Sequence, residues 1–509
     1  MKKTGLIFLF QVVITGSALA QSGVPDATFG SSGITITDIN GNDDAARNML
    51  LQPDGKIIVG GYTDIGTDED FLLVRYLADG SLDNSFGTSG KVITHISDGN
   101  DVIRGLALQS DGKIMAVGYA GVTNEFLSIV RYNSNGSLDN SFAANGMDSL
   151  LIYDNPGSDR TVPNDVKIQA DGKILVAGFT KNSAGDLNCM VVRYDANGTL
   201  DATYGIGGKV VTPLGPGEAQ WEHIAIQPDG KVVVVGYYNN GGPNNTMAIA
   251  RYDQFGGLDN GFANNGIAVQ AVASGNNEAY SVVIQPNNHI LVGGVAPNGN
   301  DVDFVLIRLE VNGALDNTFG SSGIVITELG NNVDDYLTQI ELQPDGKILA
   351  CGASFNTTND LALVRYQADG SLDTSFGPGN NGIVTGSYPA ADEIAFALSL
   401  QPDGKVLLAG GYDGDVFVTR YNNTAVGIEE SKAGWDNQLV YPNPAKDYIT
   451  LNSQDYTLKQ VDFYAVSGEL IKHVITGSKR LAIADLPAGI YLVRVVTSES
   501  SSCIKWIKE

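Results

Sequence analysis

One ten-residue phrase constrains this chain more than any other feature: Gln343-Pro344-Asp345-Gly346-Lys347-Ile348-Leu349-Ala350-Cys351-Gly352. Near copies of it begin at Gln52, Gln109, Gln169, Gln227, Gln285 and Gln401. Successive copies lie 57 to 60 residues apart, so the chain is an array of seven units. A unit of a few short strands cannot bury its own faces, and the seven therefore form one cooperative body. Length alone, 509 residues, would have suggested about three domains. With 62 Gly against 3 Cys and 3 Trp, the composition is that of a turn-rich all-β chain.

Each unit reads as four short β runs. In the second unit they are residues 106–108, 113–117 and 126–132, followed by a fourth run equivalent to 91–94 of the first. The first two runs are joined by a tight turn. In Pro53-Asp54-Gly55, Pro presets φ, Asp favours the second position and Gly takes the left-handed conformation that closes a three-residue hairpin loop. The fifth copy reads Asn287-Asn288-His289 instead, and Asn is the non-Gly residue that best tolerates positive φ. A Gly follows nine residues after each leading Gln, at 61, 118, 178, 236, 294, 352 and 410, which marks a bulge or a close backbone approach. The third run is apolar on both alternations and ends in Arg75, Arg131, Arg193, Arg251, Arg308, Arg365 or Arg420, so it is expected to pack on both faces.

A turn of the type Asp79-Gly80-Ser81-Leu82-Asp83 follows six of these arginines but not Arg420. The missing piece, Pro25 to Thr37, stands at the other end of the chain. Four-stranded units repeated seven times and cut within the repeat predict a seven-bladed β-propeller over residues 21–425, its last blade completed by the N-terminal strand. Phe29, Ile34 and Ile36 are expected to be buried in that closure. The same phrases are similar to the delta-60 repeat, a β-propeller family found mainly in exported bacterial proteins. That resemblance implies the fold and no agreed activity.

Strand alternation places the Pro-Asp-Gly turns and the Leu-Asp turns on one face and the variable loops on the other. Binding residues usually sit on variable loops held by a rigid scaffold, so any site is expected on that second face. Its candidates are Asp43, Asp44, Asp68, Asp70, Asp101, Asp301, Asp303, Asp334 and Asp335. These clustered acids could bind calcium through oxygen, but none matches the spacing of a calcium loop, and a solvated acidic rim is the competing reading. The seven arginines with Asp26, Asp83, Asp139, Asp201, Asp259, Asp316 and Asp373 are read as a structural lattice, since a residue present once per blade carries packing. Cys189, Cys351 and Cys503 are odd in number and stand where other copies carry small apolar residues, so they are read as buried hydrophobes.

No Ser/His/Asp order, zinc spacing or phosphate loop stands out among the four His, which include His95 near a strand end and His223 before a strand. Sialidase-like propellers need unique arginines, and those in the repeat are periodic. An acid pair drawn from two blades, as in glycoside cleavage, leaves no trace in sequence spacing. Residues 21–430 carry a formal charge of −29, which disfavours nucleic acid and anionic lipid and leaves cations, basic proteins and neutral glycans as partners.

The ends of the chain concern its destination. Lys2 and Lys3, an apolar run from Leu6 to Ile14, and Ala18-Leu19-Ala20 predict a signal peptide over 1–20 cleaved between Ala20 and Gln21, and no other run is long enough for a transmembrane segment. After a linker at 426–436, seven short runs in residues 437–509 predict a small Ig-like β-sandwich, with Tyr491, Val493 and Val495 inward and Arg494 outward. Tyr441-Pro442-Asn443-Pro444, Ser467-Gly468-Glu469-Leu470, Leu486-Pro487-Ala488-Gly489-Ile490-Tyr491 and Ile504-Lys505-Trp506-Ile507-Lys508 together resemble the C-terminal sorting domain of the type IX (Por) secretion system. That resemblance implies export across both membranes of a Bacteroidota-type cell, then release or attachment at the surface. The leading expectation is a monomeric, exported module binding a glycan or protein. A propeller-based glycoside hydrolase or lyase and a structural surface protein without a ligand are the alternatives.

Overall fold

The computed structural model describes residues 22–423 except 154–159, 183, 300, 331, 356–357 and 387–391. In the tail it describes 440–441, 445–451, 458–465, 470–475, 478, 480–484, 486–487, 489–497 and 501–508. The expected signal and its cleavage point at Ala20 and Gln21 lie outside the described residues. Two compact units divide the chain, residues 1–424 and 425–509.

The first unit is built from seven four-stranded antiparallel sheets. We name the strands of each blade a to d from the inside outward. In blade 1 they are Asp44–Leu51, Ile57–Asp64, Glu69–Tyr76 and Lys91–Thr94. Strand a of every blade lies against strand a of both neighbours. In blade 7 it is Glu393–Leu400, which lies against that of blade 1, so the row of sheets closes into a wheel around a central channel. Strand d of blade 7 comes from the start of the chain. Ile34–Thr37 pairs with Asp415–Tyr421, setting Ile34 opposite Thr419 and Thr37 opposite Val416. The protein is a seven-bladed β-propeller closed by its N-terminal strand.

Strand c is apolar on both alternations because both faces are covered by neighbouring blades; Phe71, Leu72, Leu73 and Val74 are all at most 1% exposed. The seam between blades 7 and 1 is packed like the others, with Phe29, Met49, Val59, Val74, Leu407 and Val418 in one cluster. The expectation for Ile36 is corrected. Phe29 and Ile34 are buried, but Ile36 is 42% exposed, because strand d is outermost and alternate side chains along it meet solvent. The Pro-Asp-Gly turns close between Gln52 N–H and the Lys56 carbonyl at 2.8 Å. Gly55 has φ +84° and its replacement Asn288 has φ +64°, so the Asn keeps the turn's backbone. Cys189 and Cys351 are buried and free, within strands.

The second unit has one sheet of Val440–Tyr441, Tyr448–Leu451 and Arg480–Ala482. Its other sheet orders Leu470–Ile475, Leu458–Ala465, Gly489–Thr497 and Ser501–Lys508. Ile449, Leu451, Val461, Phe463, Leu481, Tyr491, Val493 and Val495 form its core, while Arg494 is exposed.

Candidate functional site

The periodic charges come first, because they define what is scaffold. Each Arg at the end of strand c places Nε 2.7 to 2.9 Å from the Asp of the following turn, Arg75 with Asp83, Arg131 with Asp139, and so on to Arg420 with Asp26. The guanidinium lies over an aromatic ring of the same turn, 4.3 to 4.7 Å from its centroid. The Nη1 of Arg365 reaches the side chains of Ser22 and Asn423, but in the other six it reaches a turn carbonyl of the next blade, as Arg131 does to Ala196 at 2.7 Å. Arg420 does the same across the closing seam, to the Ala78 carbonyl at 2.6 Å. After four of these arginines a Tyr reaches the other way, to a Thr of the preceding strand d: Tyr132 donates to Thr94 at 2.8 Å, Tyr76 meets Thr37 at the same distance, and Tyr252 and Tyr366 meet Thr212 and Thr327. A Lys from the Pro-Asp-Gly turn adds a second cation to six of the carboxylates, and His289 stands 3.1 Å from Asp316 in the fifth blade.

The nine acids expected at a site lie on the opposite, variable face. Six of them, Asp44, Asp70, Asp101, Asp301, Asp303 and Asp335, are buried rather than solvated. Several have an internal task. Asp44, Asp101 and Asp335 open strand a, and each accepts a backbone N–H from the loop before it, from Ile39, Ile96 and Leu329. Asn277 does the same for Val272 and Ala273. The residue just before them reaches the preceding blade: Asp334 accepts from Val302 N–H, as Asn100, Asn276 and Asp392 accept from Glu69, Asn245 and Asn359. Since Asn and Asp serve alike at both positions, hydrogen bonding rather than charge is what the fold takes from them. Asp43 is exposed and Asp68 half-buried. Among the described residues two groups could hold a cation: Asp70, His95 and Asp101, and Asp38, Asp44 and Asp415. The first presents a His nitrogen and the second three carboxylates, whereas calcium takes six to eight oxygens.

The asymmetry that a site requires lies elsewhere, in strand a. Every strand a carries a β-bulge, and the extra residue is Arg47, Arg104, Asn164, Glu222, Tyr280, Thr338 or Phe396. These seven line the variable-face mouth of the channel, where a cavity of about 440 Å³ is completed by Tyr336, Leu337, Ala353, Asn359 and Ile394. The Gly nine residues after each leading Gln is the bulge's partner. A Cβ there would stand only 1.8 to 2.1 Å from a carbonyl oxygen of strand a. Sequence reasoning named none of the seven mouth residues. They occupy the fifth position before each leading Gln, a column in which only Arg occurs twice.

The residue after the bulge often bonds the next blade. Asp165, His223, Ser281 and Gln339 accept from the N–H of Ile224, Val282, Ile340 and Leu398 at 2.8 to 3.2 Å. His223 therefore lies inside strand a of blade 4, Ala219–Ile226, not before it. Burial holds its pKa down to about 4. Neutral His223 accepts at Nδ1, leaving its Nε2 proton toward Asp165 at 3.3 Å.

Several buried carboxyl groups outside the lattice shift opposite to those within it. Burial pushes Glu222 and Glu341 up to about 7 and Asp303 up to about 6. Against the cost of burial, hydrogen bonds from Ser85 or Thr318 and the paired Arg hold Asp83 and Asp316 down to about 2. The raised group keeps protons that the unfolded chain releases near pH 4, so stability falls as pH rises from there to about 7. The depressed group contributes stability that is lost as pH drops from about 4 to 2. Calorimetry between pH 3 and 8 is expected to show a maximum melting temperature near about pH 4 to 5. Glu222→Gln with Glu341→Gln should flatten the limb above it.

Six of the repeats, residues 52–86, 109–142, 169–204, 227–262, 285–319 and 343–376, match the model of a domain of unknown function described as the DUF5122 β-propeller. Residues 439–509 match the secretion system C-terminal sorting domain. Among solved structures, PorZ, a surface component of the type IX secretion system of Porphyromonas gingivalis, is similar at 12% identity and TM-score 0.38. That match covers 93% of this chain, which spans 60% of the PorZ chain. Drosophila Semaphorin 2a is similar at 10% identity and TM-score 0.44, with 96% and 98% covered. A fungal alcohol oxidase of the AA5 family in complex with copper is similar at 14% identity and TM-score 0.43, with 93% and 98% covered. No curated protein matches the chain. Among the described residues no helix is long and apolar enough to cross a membrane. A Por-type sorting domain implies engagement of the type IX machinery and export to the surface or the medium. With its four-stranded repeats closed into a wheel and this domain behind them, the chain is a β-propeller protein of DUF5122 repeats carrying a Por secretion system C-terminal sorting domain.

Proposed function

We propose that the protein is an exported binding module that takes a glycan or protein segment at the mouth of its central channel, on the variable-loop face. The bulge ring carries this reading. Strand a repeats its bulge in every blade, yet the residue it presents changes from Arg to Asn, Glu, Tyr, Thr and Phe. A scaffold that holds position constant while varying chemistry is what a recognition surface needs. A glycan and peptide array probed with residues 21–509, and with the same chain carrying Tyr280→Ala and Phe396→Ala, tests it. Saturable binding lost in the variant at unchanged melting temperature supports the reading, whereas binding that survives the variant places the ligand elsewhere.

One observation favours a second reading, a glycan hydrolase or lyase. Glu222, raised to about 7, lines the same mouth as Tyr280, and a carboxyl group that keeps its proton near neutrality suits a general acid. Turnover of an array-positive glycan, abolished by Glu222→Gln, would favour it over simple binding.

A further inference from the structure

We propose that the channel mouth binds the carboxylate of an acidic sugar, a uronic acid within a glycan, between Arg47 and Arg104. The proposal rests on the mouth being the binding site and names what enters it. The propeller contains ten arginines. Seven belong to the lattice, and Arg160 pairs with Glu125 at 2.6 Å. Among the described residues Arg47 and Arg104 have no carboxylate within ion-pair distance, and both project from bulges into the mouth.

Their planes are fixed by rings rather than by anions. Arg47 lies 4.3 Å over Phe396 and 5.6 Å from Tyr62, and Arg104 lies 5.6 Å from Tyr119. The Arg47 Nε is buried without a hydrogen-bond partner. Burial, and next the charge of Arg104, hold the Arg47 pKa below its ordinary value, so two guanidinium groups face one cavity with no carboxylate paired to either, Glu69 acting on them only at longer range. An incoming carboxylate would relieve both costs, and the guanidinium fork suits it in bidentate geometry.

The rest of the cavity argues for a sugar ring behind that carboxylate. Its volume of about 440 Å³ falls within the range of small-ligand pockets. Tyr280, Tyr336 and Phe396 offer aromatic surface that a bare inorganic anion would leave unused. Asn164 and Thr338 offer hydrogen bonds to hydroxyls. Glu222 keeps its proton up to about pH 7, so below that it is a donor rather than a repelling charge. A densely charged polyanion is opposed by the −29 formal charge of residues 21–430, while a single carboxylate fixed at two arginines is not.

Isothermal titration of residues 21–509 with trigalacturonate, and with the same trimer reduced to hydroxymethyl groups, tests the assignment. The acid is expected to bind saturably, and carboxyl reduction or Arg104→Gln should weaken it by about tenfold or more, the equivalent of one charge-assisted hydrogen bond. Arg104→Lys should recover part of the loss, and thermal melting checks that each variant is folded. Equal affinity for the reduced trimer, or unchanged affinity in both Arg47→Gln and Arg104→Gln, overturns the carboxylate clamp. Competition by millimolar inorganic phosphate as strong as by the trimer also overturns it, as a site for an ion only. If neither trimer binds while other array ligands are lost with Phe396→Ala, the acidic-sugar assignment fails and the mouth stands. If array binding ignores Phe396→Ala, the mouth itself is the wrong place.

Discussion

Deleting residues 22–37 is expected to cost the propeller most or all of its stability. The segment supplies strand d of blade 7, with Ile34 to Thr37 paired along Val416 to Thr419, and it buries Phe29 and Ile34. Each of those side chains is worth about 1.5 to 3 kcal/mol. The larger loss is electrostatic. Asp26 receives Arg420 at 2.8 Å and Lys405 at 2.8 Å, and the Arg420 side chain is 8% exposed. Removing the carboxylate leaves a buried guanidinium unpaired, at a cost of about 3 to 5 kcal/mol. Together these rival the roughly 5 to 15 kcal/mol that holds a typical native protein folded. Urea denaturation of residues 38–509 beside residues 21–509 is the measurement. The shortened chain should unfold at far lower urea or associate through its bared strand c, and an unchanged midpoint would contradict the closure.

The second large effect is confined to one methyl group. Gly410 and Gly411 are neighbours in strand b of blade 7, yet Gly410→Ala would place a Cβ 1.8 Å from the Ile394 carbonyl oxygen. In Gly411→Ala the nearest atom is the Ala45 Cβ at 3.5 Å, an ordinary contact. The first substitution must push apart the bulge that presents Phe396 to the channel, and it is expected to cost about 3 kcal/mol or more. The second should fall within about 0.5 kcal/mol of the parent. Equilibrium unfolding of the two variants side by side reads the difference. Equal costs would mean that the bulge does not dictate the glycine.

The two predictions also mark what could be read from the sequence. Blade number, the N-terminal closure and the two-faced burial of strand c were legible because the repeat recurs seven times, in variants of the Gln-Pro-Asp-Gly phrase, in strand ends that are Arg-Tyr in six copies, and in the turn displaced to Asp26. Strand a was read short. The run at 106–108 is only the latter part of Val102–Leu108, since the bulge at Arg104 breaks the alternation and sets a charged residue where an apolar one would signal a strand. The same break hid the channel mouth. The acidic doublets, by contrast, are conspicuous in sequence, but their partners, backbone N–H groups of the loop before and the blade before, are not. The arginines of the repeat were rightly seen as periodic, but Arg47 and Arg104 stand outside that period.

The seam where Asp26 meets Arg420 joins residues 394 apart in the chain. A ribosome makes the first of them long before the second, so the earliest segment to emerge must wait, without its partner, for the latest. Closure therefore has to wait until the chain has been made through strand c of blade 7, at Tyr421. A product cut short anywhere before residue 415 has no strand to receive its own beginning and is left with an open flank. The wheel in this way distinguishes chains that carry a complete propeller from those that stop within it, with no component beyond the propeller's own two ends.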